Sequence, residues 1–479
     1  MIDEPKLLTD NFDYTGQWFF PGCDDYKVEG TVNFSKGSIS IKVRGPLRDE
    51  TKYQTVRCPD HLHIDNEKID TLLGITDNGT EITLESLVMT NSNIGISFGH
   101  KYENRIYHVS RMFVGIHYNN NEERKFNSVT IKYSNFKEWI NESGINTDQD
   151  FSTDTFTITA TPPMVHEGRA TDDFEYSIWT DIKNPGFVRD AFDAKISQDT
   201  LITLKSEKKS SYEEFYKIHT RLKNFIMLGI LYSIKPLLIE GNSKDSLKEI
   251  FIYPTTSNVT NEHAIIENRQ MFFRFKDLSG RVPTVFQRWL KAYEELEDAF
   301  NLFFEVMIND KLYPQDRFEN IIQALEAYHR ERFDDALMDN TQYEQMVSKI
   351  LAQLQDPQER EWIHNQKLRG NDLSLPQKLL QLLEQFPYLY TDLQTREKFV
   401  GLIRDTRNYF AHHPRSLRVK AAKNAELHYL EQRLNVLMVA CMFSELGFDE
   451  DKLRHWVIKY AKRRRQFKLV WHSDPFDWF

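Results

Sequence analysis

The stretch RDTRNYFAHH, residues 404–413, runs straight into Pro414 and holds two arginines, an amide and two histidines. Histidine ionises near neutrality and can take or release a proton. Arginine offers a planar, permanently charged fork suited to a phosphate and to the extra charge of a phosphorane-like transition state. Without a metal, that pair fits cleavage of RNA by attack of the adjacent 2′-OH on its own phosphodiester. The ribose then supplies the nucleophile, and the protein has only to move protons and stabilise charge. Spacing alone does not single out this stretch, because Arg57…His63, Arg111…His117 and Arg465…His472 fall in the same range. A histidine near a helix C-terminus with a proline just beyond is also an ordinary helix ending.

Helical geometry separates the stretch from the other pairs. His413 precedes Pro414 and is biased away from the right-handed helical region, so it should cap the helix and leave His412 in the last turn. On a helical wheel Gly401, Arg404, Asp405, Asn408 and His412 share one face, opposite Phe399, Ile403 and Phe410. Arg404, Asn408 and His412 form one ridge on that face. Arg407 lies on its flank, roughly 140° from His412, which is awkward for a site built from a single chain. Across a two-fold axis, Arg407 of one copy can approach His412 of the other. Two basic stretches lie near in sequence and are suited to hold an RNA backbone. One comprises Arg415, Arg418, Lys420 and Lys423; the other, residues 452–471, includes Lys462, Arg463, Arg464 and Arg465 and has no acidic residue. Trp456, Tyr460, Phe467 and Trp471 interleave with the second stretch, where base stacking and packing against a helical bundle account for them equally.

The elements that must position these residues are legible in outline. The chain has 479 residues, 40% of them hydrophobic and 13% aromatic, enough for two or three domains with their own cores. A net charge of −10 does not mark the whole chain as a nucleic-acid binder. MIDEPKLLTD at the start lacks the features of a signal peptide, and the apolar run Phe225–Ile234 is too short to span a bilayer. Cys23, Cys58 and Cys441 form no CxxC pair. A soluble cytoplasmic protein without a membrane segment is expected.

Short alternating segments such as Gly30–Ser35, Ser38–Val43, Glu81–Val88, Arg105–Ile116 and Asp154–Thr161 predict antiparallel strands, hence a sandwich-like domain or irregular barrel over residues 1–205. The polar stretch Lys205–Ser211 reads as a boundary. A mixed α/β region, 206–312, follows. It has a helix over Tyr212–Ile234, strands at Ile250–Tyr253 and Met271–Phe275, and one long helix from about Pro283 to about Ile308. Residues 313–479 carry successive amphipathic stripes, through Phe318–Tyr328, Leu375–Phe386, Phe399–Phe410 and Ala425–Leu446, and predict a helical bundle. The fold class is therefore α+β and multidomain. Cys58, His61 and His63 have no fourth ligand nearby, so neither a metal nor a cofactor is expected. His329 lies on the apolar side of its helix and reads as a satisfied buried histidine, with a contribution to the rim of the site as the lesser alternative.

Within this all-α region, RNYFAHH resembles the signature of HEPN ribonucleases, an R-polar-x3-H pattern met here by Arg407, Asn408 and His412. QALEAYHRERF (Gln323–Phe333) resembles the first long helix of the ApeA-like HEPN subgroup. GQWFFPG (Gly16–Gly22), VEGTVNFSKGSISIKVRG (Val28–Gly45) and RWL (Arg288–Leu290) resemble the ApeA N-terminal domain, so the resemblance covers most of the chain in order. It implies a bacterial antiphage protein acting by abortive infection, in which two HEPN domains pair as a homodimer to make one composite ribonuclease site. Cleavage would be metal-independent and leave a 2′,3′-cyclic phosphate and a 5′-OH. By position, the resemblance makes His412 the proton-transfer residue, Arg407 the phosphate and transition-state stabiliser, and Asn408 a polar orienting partner. His413 also meets the loose spacing, and Arg404, outside the motif, shares the ridge. The β-rich front would then sense or regulate, with RNA as substrate and a phage-encoded component as a candidate trigger. The family has inactive, structural members as well. The alternative is a non-catalytic HEPN-type module that binds RNA or a phage protein, and a ligand-binding role for the front rests on fold analogy alone.

Overall fold

The computed structural model describes residues 6–35, 37–47, 68–97, 100–183, 195–243, 248–256, 265–278, 280–309, 311–367, 370–389 and 392–467. Cys58, His61 and His63 lie outside the described residues, as do Trp471 and His472. The side chains of Arg463, Arg464, Arg465 and Phe467 are likewise outside the description. The chain divides into two compact units, Met1–Pro283 and Thr284–Phe479.

The first unit is built on antiparallel strands: β1 (Phe12–Phe19), β2 (Val28–Ser35), β3 (Ser38–Arg44), β4 (Lys68–Thr76), β5 (Glu81–Ser97), β6 (His100–Val114), β7 (Lys125–Tyr133), β8 (Ile145–Asp150), β9 (Thr155–Ala160), β10 (His166–Arg169), β11 (Phe174–Lys183), β12 (Ser197–Ser211), β13 (Pro236–Asn242) and β14 (Ile250–Pro254). Strands β1 to β6 close on themselves, because β6 pairs with β3 on one side and β5 on the other while β4 joins β5 to β1. Of the two forms the alternation allows, the barrel is therefore the one present. Val28, Val32 and Phe34 of β2 and Ile39, Ile41 and Val43 of β3 point inward, with polar residues between them. Each such side chain contributes about 1.5–3 kcal/mol on burial.

The first motif of this unit has a steric reason. Trp18 is fully buried, and its Nε1–H donates to the Gly30 carbonyl at 3.0 Å. A side chain at Gly74 would overlap the Trp18 ring, and one at Gly16 would run into the backbone of Ile75. Gly74 thus makes room for the indole and Gly16 lets β1 approach β4, and only glycine fits at either position.

From β6 the sheet continues through β14, β13, β7, β12, β11 and β10. Helices α1 (Phe136–Ile140) and α2 (Tyr212–Ile230) pack on this open part. Phe215 of α2 meets Phe174 edge-on at 5.0 Å, and Phe225 meets Trp139 of α1 at 6.4 Å. The expected boundary Lys205–Ser211 is instead the end of β12, which rejoins β7 after a bulge and leads into α2 through a Ser211–Glu214 capping box. The expected strand Ile250–Tyr253 is β14. Met271–Phe275 is not a strand: the N–H groups of Phe272 and Phe273 donate to the Gly229 carbonyl at the end of α2, and their rings fill the core.

The second unit is helical: α3 (Val282–Glu295), α4 (Glu297–Ile308), α5 (Pro314–Arg332), α6 (Asn340–Gln353), α7 (Pro357–Lys367), α8 (Leu375–Glu384), α9 (Leu393–His412), α10 (Ala425–Ser444) and α11 (Glu450–Phe467). The long helix expected over 283–308 breaks at Leu296. A straight helix would hold residues 289 and 300 about 16 Å apart, whereas the rings of Trp289 and Phe300 lie 5.1 Å apart. The chain turns back there, so that the aromatics of α3 and α4 pack on one another.

Helix α10 is the centre of the bundle. It buries Leu434, Leu437, Met438 and Cys441, and with them Glu431, which Arg317 approaches at 3.4 Å and Asn435 at 2.8 Å. No helix among the described residues is long and apolar enough to cross a membrane.

Candidate functional site

Helix α9 carries the residues singled out above. The Asp392 side chain caps its start by accepting the Thr395 N–H at 2.8 Å. One side of the helix buries Phe399, Val400, Ile403 and Thr406, and Phe410 meets Phe318 of α5 at 6.2 Å. Past His412, His413 adopts a left-handed conformation (φ 50°), and its N–H donates to the Tyr409 carbonyl at 2.7 Å. His413 thus leaves the right-handed helical region, which Pro414 disfavours, and caps the helix.

Burial stops where the polar ridge begins. Arg404 and His412 are exposed, while Arg407 and Asn408 are half-buried. Nε and Nη2 of Arg404 both donate to Asp405 Oδ1, at 2.9 and 2.8 Å. That ion pair is open to solvent and worth little in stability, but it partly neutralises Arg404. The side chains of Arg407, Asn408 and His412 make no hydrogen bond or ion pair to another described residue. The last two turns of α9 therefore present a guanidinium, an amide and an imidazole to solvent.

The segment after α9 folds back onto it. Ala422 and Thr406 are both fully buried, and the Ala422 N–H donates to Thr406 Oγ1 at 2.9 Å. Lys423 stands over the Tyr409 ring at 5.5 Å and donates to the Arg418 carbonyl, and His413 meets the same ring edge-on at 5.6 Å. This clasp returns the loop to the helix and leaves Arg415, Arg418 and Lys420 exposed beyond the C-terminus of α9, the negative end of its dipole. Lys423, grouped with these cations from sequence, is exposed like them but also lies over the Tyr409 ring. Thr406 and Tyr409 were not foreseen in this role. The available signal was a hydroxyl at position 406 on an apolar stripe, since a buried hydroxyl needs a partner.

Other expected residues lie elsewhere. Lys462 is exposed on α11. Trp456 and Tyr460 are buried, Trp456 packing on Phe443 and Phe448 at 5.4 and 5.6 Å, so these two rings serve the bundle rather than base stacking. His329 is fully buried, with Nε2 2.7 Å from Gln381 Oε1 and Nδ1 3.3 Å from Asp335 Oδ1. Arg111 pairs with Glu85 and Glu213, and His117 Nε2 lies 2.8 Å from the Gly74 carbonyl, which gives that Arg…His pair structural partners. Among the described residues no group of three or more His, Cys, Asp or Glu side chains is arranged to hold a metal ion.

Comparison with known families agrees with the two-part layout. Residues 319–452 match the Apea-like HEPN family, a span that includes α9 and the clasp. No curated protein and no solved structure gave a match. Residues 13–289, more than half of the sequence, match ApeA N-terminal domain 1, and the chain thus belongs to the ApeA family, with an ApeA-like HEPN domain following its β-rich unit.

Proposed function

We propose that this chain is an endoribonuclease of the HEPN class that works as a homodimer in antiphage defence by abortive infection. The observation that carries the reading is the end of α9, where the half-buried Arg407 and the exposed His412 make no hydrogen bond or ion pair to another described residue, beside a loop of exposed cations. In this reading an imidazole takes the proton from a ribose 2′-OH, and O2′ attacks the adjacent phosphorus. The P–O5′ bond breaks, the departing oxygen receives a proton, and the products are a 2′,3′-cyclic phosphate and a 5′-OH. Arg407 offsets the charge that builds on the non-bridging oxygens, and Asn408 orients. Nothing in these steps requires a metal ion. The wheel angle between Arg407 and His412 supports a site shared across a two-fold axis, and the β-rich unit is the part that senses the trigger.

Purified wild type, Arg407→Ala and His412→Ala are compared on total RNA in EDTA. Loss of the proton-transfer group is expected to cost about 10²–10⁴-fold and loss of the arginine about 10²–10³-fold. Equal cleavage by all three proteins, or a strict metal requirement, overturns the assignment. Mixing the two inactive variants tests the shared site. A mixed dimer keeps one intact Arg407–His412 pair only if the two residues come from different chains, so activity should return to about a quarter of wild type. A site within one chain gives no recovery.

A further inference from the structure

In the first unit, β8 and β9 form a two-stranded ribbon that pairs with no other strand among the described residues. A lone ribbon is marginal in water, yet this one is pinned at its base. The Thr161 N–H donates to the Gly144 carbonyl at 2.8 Å, and the Gly144 N–H donates to Gln198 Oε1 on β12 at 2.8 Å. Gln198 Nε2 in turn donates to the Glu142 carbonyl at 2.8 Å, and His166 closes on the Glu142 carboxylate at 2.9 Å. At the tip, the Ser152 N–H and hydroxyl donate to Asp150 Oδ1 at 2.8 and 2.6 Å. The ribbon is therefore held at both ends, while every residue of β9 is exposed.

Its two faces differ. The register sets Gln149 against Phe156, Thr147 against Ile158 and Ile145 against Ala160 on one face. The other face holds Asp148, Asp150, Thr155 and Thr157. Phe156 is 59% exposed and Phe151, at the tip, 84%. Residues 145–160 include Asp148, Asp150 and Asp154 but neither lysine nor arginine. The Thr161–Gly144 hydrogen bond also fixes which backbone groups are open. Ladder bonds alternate, so the N–H and C=O groups of Ile145, Thr147 and Gln149 face outward along one edge, and those of Phe156, Ile158 and Ala160 along the other. Such an edge is a template for another strand.

We infer that the β8–β9 ribbon is a docking arm that takes an extended segment of a partner protein as an added strand, the segment alternating apolar with basic residues. Backbone pairing at the open edge supplies affinity, and the alternation supplies register. Apolar side chains of the incoming strand join Phe156 and Ile158 on their face, and its lysines or arginines meet Asp148 and Asp150 on the other. At the β8 edge a second copy of this chain is disfavoured, because β8 on β8 sets aspartates against aspartates; pairing of two copies through β9, which carries no aspartate, is the outcome that the oligomeric state in the test below reads. Nucleic acid and anionic lipid meet the same repulsion. The inference stands apart from the ribonuclease reading and is tested by binding, not by cleavage.

The probe is a blocked, fluorescent peptide alternating valine and lysine, titrated into the full chain by anisotropy, with hydrogen exchange followed over residues 145–160. Binding that slows exchange in the ribbon is expected. It should weaken about tenfold or more, equivalent to about 1.4 kcal/mol, in four cases: when every second peptide amide is N-methylated, when lysine is replaced by glutamate, with Phe156→Ser/Ile158→Ser, and with Asp148→Lys. These substitutions lie on exposed positions, and unchanged thermal unfolding confirms that the arm alone is altered. Absence of binding, or equal binding by the N-methylated peptide, overturns the inference. So does a change of oligomeric state in the Phe156→Ser/Ile158→Ser variant, which would assign the surface to a second copy.

Discussion

Thr406 sits between two residues of the polar ridge but points the other way, and the clasp beneath the candidate site hangs on its hydroxyl. Thr406→Val keeps the shape of the side chain and removes only the acceptor. The Ala422 N–H, fully buried and now 2.9 Å from a methyl group, has no water to turn to. An unsatisfied buried donor costs about 1–3 kcal/mol, which raises the opening equilibrium of the loop about 5- to 150-fold. Native-state hydrogen exchange over residues 414–424 reads this directly, and acceleration within that range is expected for the valine variant. Thr406→Ser keeps the acceptor and should stay within a few-fold of wild type. Arg415, Arg418 and Lys420 ride on the same loop, so, if RNA binds through it, a loosened clasp should also weaken that binding without touching any of them. If exchange in the loop is unchanged while global stability falls, the hydroxyl serves general packing, and the clasp does not hold the loop.

Three further outcomes follow from other parts of the molecule. Gly16→Ala forces a methyl group into the backbone of Ile75, which cannot swing aside as a side chain would; a loss of about 1–3 kcal/mol should appear as a lower urea midpoint at unchanged slope, and a neutral result refutes the close approach. Burial, aided by the nearby Lys223 charge, pushes the His219 imidazole down to about 3 from an ordinary 6.5. Below pH 6.5 the unfolded chain takes a proton that the folded chain refuses, so this contribution is intact above that pH and is lost as pH falls towards 3, at up to about 1.4 kcal/mol per pH unit. His219→Phe should flatten the slope in that window, and an unaltered slope assigns it to other groups. If RNA binds through the loop, Arg418→Ala/Lys420→Ala should reduce the slope of log affinity against log salt by about 0.7 per lost phosphate contact, whereas an unchanged slope removes both from the interface.

The difference between what could and could not be read beforehand lies in the range of the forces involved. The helix carrying the site was legible because its determinants are local: a three-to-four-residue apolar stripe ending at Phe410 and a proline that forces His413 out of the helix. The barrel strands were legible for the same reason, since Val28, Val32 and Phe34 alternate with residues bound for solvent. The break at Leu296 was not, because no glycine or proline marks it. Across it Trp289 and Tyr293 pack on Phe300 and Phe304, contacts between residues too far apart along the chain for a local pattern to announce. Met271–Phe275 failed similarly, as an apolar run is the same to a periodicity argument whether it pairs in a ladder or fills a core against Gly229. The clasp is the instructive case at the site. Residue types grouped Lys423 with Arg415, Arg418 and Lys420, and all four are exposed, but only the fold shows that the Lys423 ammonium also lies over Tyr409, fourteen residues before it. A charge count records what a loop carries; only the packing of the loop decides which of those charges also meet a protein group.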